Sequence, residues 1–434
     1  MIYYSTNKKA PAVSLREAVV KGLAPDGGLY MPERIAQIPQ KFFDGIRNLS
    51  FTEIAETVAE KFFGDDLEKE KLDAIVDDTL SFEIPLRQVE KDIYALELFH
   101  GPTFAFKDVG ARFMARMLSH FVRERQEEVN VLTATSGDTG SAVANGFLGM
   151  EGIRVFVLYP SGKVSDMQEA QFTTLGQNIV ALEVDGSFDD CQALVKSAFM
   201  DGELNERLNL TSANSINVAR FLPQSFYYFL AYAQLMKRTP AAGKIVFSVP
   251  SGNLGNLTAG LFAKRMGLPV ERFIAANNRN DVFHEYLRSG KYAPRASVQT
   301  VANAMDVGAP SNFDRILDLY RHSHEAISGD IASYRYGDDE IRAAIKNVHS
   351  RTGYLLDPHG ACACLALKEG KRSGETGVFL ATAHPAKFGQ TVEACTGTSV
   401  QIPDALAAFM RRRRHSVRLP NDFCLLKKAL IDRS

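Results

Sequence analysis

The chain has 434 residues, 45% of them hydrophobic and 23% charged, enough apolar material for a large core and a length that predicts two or three domains. Its 50 basic and 51 acidic residues leave a formal net charge of -1, which excludes a global field steering it toward nucleic acid or an anionic membrane. Five scattered cysteines argue against a disulfide framework. The opening residues lack the apolar core of a signal peptide, and no apolar run approaches the ~20 residues that cross a bilayer. A protein of the reducing cytoplasm is expected.

The first part, to about Phe82, mixes helical patterns with a loop at 22–32, where Gly27 and Gly28 follow Pro25 and Asp26 as a turn. Phe51 to Phe63 has the spacing of an amphipathic helix. From about Glu90, short apolar runs alternate with longer amphipathic segments. Strands are predicted at 129–134, 153–159, 179–184, 244–249, 272–276 and 377–381. Helices are predicted between most of them, at 139–148, 189–200, 225–236 and 257–266. This alternation means a parallel sheet with helices on both faces, so the fold class is α/β. The continuous apolar run from Ile245 to Val249 fits a strand buried on both sides. The run Arg411 to His415 reads as a solvated helix face or tail, because no wider basic excess supports a polyanion patch.

In such sheets ligands sit beyond the carboxyl ends of the strands. Three segments with chemical content lie at such positions. Pro250-Ser-Gly-Asn-Leu-Gly-Asn256 precedes a helix. Its glycines allow tight folding, and its backbone N–H groups together with the helix start make an anion site suited to phosphate. A plain strand-to-helix turn is the bland alternative. The spacing is not that of a dinucleotide fingerprint, and no nucleoside triphosphate loop occurs in the chain. Thr135-Ser-Gly-Asp-Thr-Gly-Ser141 offers hydroxyls and N–H groups for a small carboxylate, with Ser136 or Asp138 also able to cap the helix. The third segment, His100 to Gly110, places Lys107 after Phe104-Ala-Phe106. An amine on apolar surface is easily deprotonated and can form an imine with an aldehyde, although a snorkelling lysine is the commoner outcome of such spacing. His359-Gly-Ala-Cys362-Ala-Cys364 has no matching second ligand pair, so core packing is expected there rather than a metal.

Together these stretches resemble the threonine synthases, pyridoxal-5′-phosphate (PLP) enzymes whose fold is like that of the tryptophan synthase β subunit (fold type II). His100-Gly-Pro-Thr-Phe-Ala-Phe-Lys-Asp108 is similar to the family's cofactor-lysine segment, Ala134 to Ser141 to its substrate loop, and Ser251 to Asn256 to its cofactor-phosphate loop. The segments at 22–30, 213–220 and 303–308 match further family stretches in the same order.

The resemblance implies two doubly wound parallel-sheet domains plus a small, mainly helical N-terminal domain. The expected divisions are 1–82, then 83–235 with the lysine and substrate loop, then 236–434 with the phosphate loop and C-terminal helices. It implies Lys107 as the Schiff-base lysine and catalytic base. Gly252, Asn253, Leu254, Gly255 and Asn256 would cradle the cofactor phosphate, and Thr382 would bond the pyridine nitrogen. Ser136, Thr139 and Gly140 would bind the substrate carboxylate, with Arg220 or Lys163 at the substrate phosphate. Many relatives have Asn where this chain has Asp138; a carboxylate beside a phenolate repels it unless they share a proton, so Asp138 is either turned away or protonated.

The implied reaction converts O-phospho-L-homoserine and water to L-threonine and phosphate. The partner is that small molecule, with no nucleic acid and no membrane, and the assembly is a monomer or homodimer. A related PLP phospholyase releasing 2-oxobutanoate is the near rival. A nucleotide-binding dehydrogenase and a catalytically dead binding protein are the distant ones.

Overall fold

The computed structural model describes residues 1–239 and 243–433. They form two compact units, neither a single stretch of chain. One comprises Met31–Phe106 and Phe221–Gln401 with Met1; the other comprises Ile2–Tyr30, Lys107–Arg220 and Ile402–Ser434.

The first unit is built on a six-stranded sheet. From edge to edge its strands are Ile331–Arg335, Arg272–Asn277, Ile245–Pro250, Thr376–Ala381, Ile93–Glu97 and Leu86–Glu90. The first five run parallel. Leu86–Glu90 turns back antiparallel on Ile93–Glu97, a hairpin the purely parallel expectation did not include. Arg272–Asn277 and Thr376–Ala381 are buried along their whole length, as strands covered on both faces must be. The helix Phe51–Phe63 buries Ile54, Ala55, Val58, Ala59, Phe62 and Phe63, which lie on one face at helical spacing. A reciprocal capping box between Ser50 and Glu53 starts it.

The second unit carries a five-stranded sheet, ordered Val417–Pro420, Ile179–Asp185, Ile153–Pro160, Val129–Ala134 and Leu210–Ser212, all parallel. Its core joins Leu132, Phe156, Leu158, Leu182 and Val184 from the strands to Leu194, Ala198 and Leu426 from helices. Asn217 and Thr211 both donate to the Val19 carbonyl, at 2.9 and 3.3 Å, fastening the helix Leu15–Lys21 beside the strand Leu210–Ser212. The turn at Gly27 has φ +78°, and Asp26 beside it accepts bonds from Ser5, Lys9, Ala10 and Gly28. Against the cost of burial, those bonds hold its carboxyl down at about 2.

The compact units therefore cut across the expected consecutive divisions. Residues 2–30 pack with 107–220, residues 31–82 belong with the six-stranded sheet, and residues 402–434 return to the five-stranded one. The strands predicted from apolar runs are present within one or two residues of their expected bounds. The arginine run follows the helix Asp404–Met410 and is exposed; Arg414 reaches Asp166 at 3.1 Å. Among the described residues no helix is long and apolar enough to cross a membrane.

Deep in the first unit, Arg272 donates at 2.7 Å to both Glu375 and the Gly370 carbonyl. Both charged side chains are under a tenth exposed. Removing one member of a buried pair strands the other charge, at about 3–5 kcal/mol, whereas replacing both with apolar groups is close to neutral. Glu375→Leu is expected to lower the urea midpoint sharply and the double variant Arg272→Met/Glu375→Leu to recover most of the loss.

Candidate active site

Three adjacent parallel strands of the first unit, Ile245–Pro250, Thr376–Ala381 and Ile93–Glu97, end on the same side of the sheet. After the first comes the glycine–asparagine loop. Ser251 donates its N–H to the Ala276 carbonyl at 2.8 Å. Leu254 turns left-handed, φ +60°, directly before the helix Gly255–Arg265. The first intrahelical bond is Thr258 N–H to the Leu254 carbonyl, so the amides of Gly255, Asn256 and Leu257 have no acceptor within the helix.

Gly252 is pressed against a neighbouring turn. A Cβ there would meet the Ala304 carbonyl oxygen at 2.8 Å and Met305 Cα at 3.1 Å, so no larger residue fits without moving backbone. The two asparagines brace the loop. Asn253 accepts from the Ser311 N–H at 2.6 Å, and its carbonyl accepts from the Asn312 side chain at 3.0 Å. Asn312 in turn holds the buried Arg315 at 2.7 Å; burial lowers that guanidinium to about 9, Asp314 opposing the shift. Asn256 Oδ1 accepts from Tyr227 and Tyr228 at 2.7 and 2.8 Å. Burial pushes both phenols well up, so they remain donors. Asn256 Nδ2 is sealed from water and, among the described residues, has no acceptor. A buried amide donor left open costs about 1–3 kcal/mol, so the loop is short of an acceptor, and an anion there fits it.

Beyond the second strand lies Thr382, 5% exposed, and beyond the third the segment leading to Lys107. These two stretches are woven together. Phe106 donates its N–H to the Thr382 carbonyl at 2.9 Å, and His384 its N–H to the Phe104 carbonyl at 3.1 Å. Ala105 and Ala383 form an antiparallel bridge. The buried Lys387 donates from Nζ to the Thr103 carbonyl at 2.9 Å. The His384 ring stands edge-on to Phe99 and Phe104. Burial, with His100 adding to it, lowers His384 to about 4, so this ring is neutral at physiological pH. Phe104 itself is left-handed, φ +58°. Lys107 follows as the first residue of the helix Lys107–Arg125 and is half-buried.

In the second unit the hydroxyl-rich loop leaves the strand Val129–Ala134. Thr135 organises it, its Oγ1 accepting the N–H groups of Gly137 at 2.9 Å and Gly140 at 2.8 Å. Gly137, at φ +138°, has the Gln168 carboxamide 2.5 Å from where a Cβ would be; a side chain there is both strained and obstructed. Ser136 and Thr139 stay half-buried. The adjacent strand Leu210–Ser212 leads to Asn214, which ties to the same strand end through Thr133 at 2.6 Å and the Ala134 carbonyl at 3.2 Å. Arg220 closes this stretch, fully buried; burial lowers it to about 10, with the Asp108 carboxylate opposing. It is therefore still a cation at neutral pH.

The structure thus brings Gly252 to Asn256, Thr382 and the approach to Lys107 to neighbouring strand ends in one unit. In the other it places Ser136, Thr139 and Gly140 just after the strand Val129–Ala134, and Arg220 in the short helix Val218–Phe221 that follows the strand Leu210–Ser212. Two expectations change. Neither Ser136 nor Asp138 caps the helix: Gly137 holds the cap position and Thr135 supplies the oxygen. Gly140 gives its amide to Thr135, so it shapes the loop. Asp138 is buried and accepts from Gln168 Nε2 at 2.9 Å. Lys163 is exposed after its strand. Cys362 and Cys364 are buried in the helix Pro358–Gly370. Thr135, Lys387 and the tyrosine pair were not anticipated. Thr135 opens the hydroxyl-rich segment singled out above and Lys387 lies five residues after Thr382, whereas adjacent tyrosines on a helix carry no signal beyond burial.

Residues 80–382 match the family model described as pyridoxal-phosphate dependent enzyme. More distant structures, among them maize serine racemase with a TM-score of 0.53 at 15% identity, share the fold. The chain is therefore a PLP-dependent enzyme of fold type II. The models for the threonine synthase N terminus and C-terminal region match residues 2–80 and 359–430. The chain is 44% identical to the threonine synthases of Haemophilus influenzae and Escherichia coli, covering 99% and 100% of this chain and 100% of each relative. The crystal structure of the Escherichia coli enzyme superposes with a TM-score of 0.94 at 43% identity, covering 100% of both chains. A PLP-bound threonine synthase from Brucella melitensis gives 0.92 at 37%, covering 100% of this chain and 99% of that one. The chain belongs to the threonine synthase family.

Lys387→Met keeps the apolar stem and removes the bond to Thr103. A charge-assisted hydrogen bond contributes about 1.5–3 kcal/mol, so amide exchange at Ala105 and Phe106 is expected to quicken by roughly ten- to a hundred-fold while the five-stranded sheet keeps its protection.

Proposed function

We propose that the chain converts O-phospho-L-homoserine and water to L-threonine and phosphate, with Lys107 as the cofactor lysine and catalytic base. The observation carrying this reading is the trio of neighbouring strand ends: an anion loop with an open buried donor, Thr382, and the braced segment that delivers Lys107. Full-length similarity to threonine synthases supports it. So does the second set of groups, two hydroxyls and a buried arginine, suited to a carboxylate and a phosphate on one small substrate.

When bound, PLP supplies an aldehyde for the amine and a ring that takes up electrons from the substrate carbon. The chain's own residues do the rest. The amides of Gly252 to Asn256 at the helix start, with Asn256 Nδ2, would hold the cofactor phosphate. Thr382 would meet the ring nitrogen as a neutral hydroxyl. Lys107 Nζ takes the substrate's Cα proton and is suited to return it elsewhere on the substrate. The Ser136 and Thr139 hydroxyls donate to the substrate carboxylate. Arg220, kept cationic in a dry setting, offers a fork to the leaving phosphate. Loss of a Cβ proton lets phosphate leave from Cγ; Cγ then takes up a proton and water adds at Cβ. Asp138, bonded to Gln168, stands in the loop as a structural acceptor.

Supplying O-phospho-L-homoserine and measuring threonine, phosphate and 2-oxobutanoate together tests the reading. Equal yields of threonine and phosphate are expected; phosphate with 2-oxobutanoate would replace it with a degradative phospholyase. In the same assay Lys107→Ala is expected to lose roughly 10²- to 10⁴-fold in turnover, the span of general acid–base catalysis. Borohydride should fix the cofactor to wild type and not to the variant.

Arg220→Lys keeps the charge and loses the fork. Its kcat/KM is expected to fall about 10- to 100-fold, equivalent to about 1.5–3 kcal/mol, with PLP affinity unchanged. Unaltered kcat/KM would remove Arg220 from the substrate site.

A further inference from the structure

The turn that presses on Gly252 is itself held by a buried pair unused by the chemistry above. Asp357 caps the helix Pro358–Gly370, accepting the N–H groups of His359 and Gly360 at 3.0 and 2.9 Å. Its Oδ2 is also 2.6 Å from His359 Nδ1. Both side chains are 2% exposed or less, and the ring stands edge-on to Phe388, 4.9 Å between centroids. On its other side, Nε2 lies 3.1 Å from the backbone nitrogen of Ala304.

An amide N–H can only donate, so Nε2 must carry a lone pair and the ring proton must sit on Nδ1, directed at Asp357. The carboxylate fixes the tautomer and the tautomer fixes the turn. Ala304 belongs to the short 3-10 turn Asn303–Met305, whose carbonyl and Cα are what Gly252 abuts. The far end of the turn is tied as well. Asp306 accepts from the Thr300 amide and hydroxyl at 2.9 and 2.7 Å, and from Asn278 and Asn280 at 2.8 and 3.0 Å.

We infer that Asp357 and His359 are positioning residues for the cofactor-phosphate loop: they hold the Ala304 turn as the wall against which Gly252 sets the loop's amides. The inference rests on the proposal that this loop takes the PLP phosphate. A helix cap alone would need Asp357 and no histidine. The lone pair aimed at Ala304 is what the cap leaves unexplained.

The test measures equilibrium affinity of the apoenzyme for PLP and for pyridoxal, which lacks the phosphate. His359→Leu is expected to weaken PLP at least ten-fold and pyridoxal little. His359→Gln, whose side-chain oxygen can accept from Ala304, should recover most of the affinity. Equal loss in the two variants, or none in His359→Leu, overturns the inference. Gly252→Ala separates the two layers: if it leaves PLP affinity intact, the phosphate reading of the loop fails; if it weakens PLP while His359→Leu does not, only the brace fails. Should His359→Leu not fold, nitrogen NMR of wild-type apoenzyme decides. A protonated Nε2 on His359 overturns the inference, and an unprotonated one with a protected Ala304 amide upholds it.

Discussion

The segment that leads to Lys107 depends on a backbone conformation that a phenylalanine resists. Phe104 occupies the left-handed region, which costs a residue with a large Cβ substituent about 1–3 kcal/mol, and it does so three residues before Lys107. The chain stays there because the stretch from Thr382 to Lys387 takes up the backbone on either side of it. It accepts from Phe106, donates to Phe104, bridges Ala105 and sends the Lys387 ammonium to Thr103. The backbone leading up to Lys107 is thus fixed in part by residues far along the sequence.

The same economy recurs in the loops. Two loop glycines lie against neighbours that leave no room for a side chain. Gly137 yields to Gln168, Gly252 to the Ala304 turn. The side chains that look chemically eloquent, Asn253 and Asn256, spend most of their bonding capacity on Ser311, Asn312 and the two tyrosines. What remains for a ligand is backbone N–H and one amide. In the proposed anion site the side chains would stiffen the loop and the main chain would do the binding.

Much of this was legible in the chain itself. Strands buried on both faces announce themselves as unbroken apolar runs, and all six expected from such runs are there. The strands not foreseen have physical reasons for silence. Leu210–Ser212 is three residues long, Ile331–Arg335 is half-buried and polar, and Val417–Pro420 alternates exposed with half-buried positions at an edge. Ile93–Glu97 is central, yet it is reached through a tight hairpin with Asp92 at φ +57°, and its neighbours carry charge. In the site, the lysine, the hydroxyls and the glycine loop stood out because their composition is unusual locally. The braces did not, because each joins distant positions: Lys387 to Thr103, His359 to Ala304, Tyr228 to Asn256. No periodicity records such pairs; only the fold brings them within bonding distance.

Building the second unit from three separate stretches sets an order for its assembly during synthesis. Residues 2–30 are made before 107–220 and must wait for them to complete their packing. The strand Val417–Pro420 is made long after Ile179–Asp185, which until then is an open edge offering unpaired amides and carbonyls to any passing strand. The nascent chain is therefore exposed to mispairing across that interval, and a helper that shields strand edges would matter most during it.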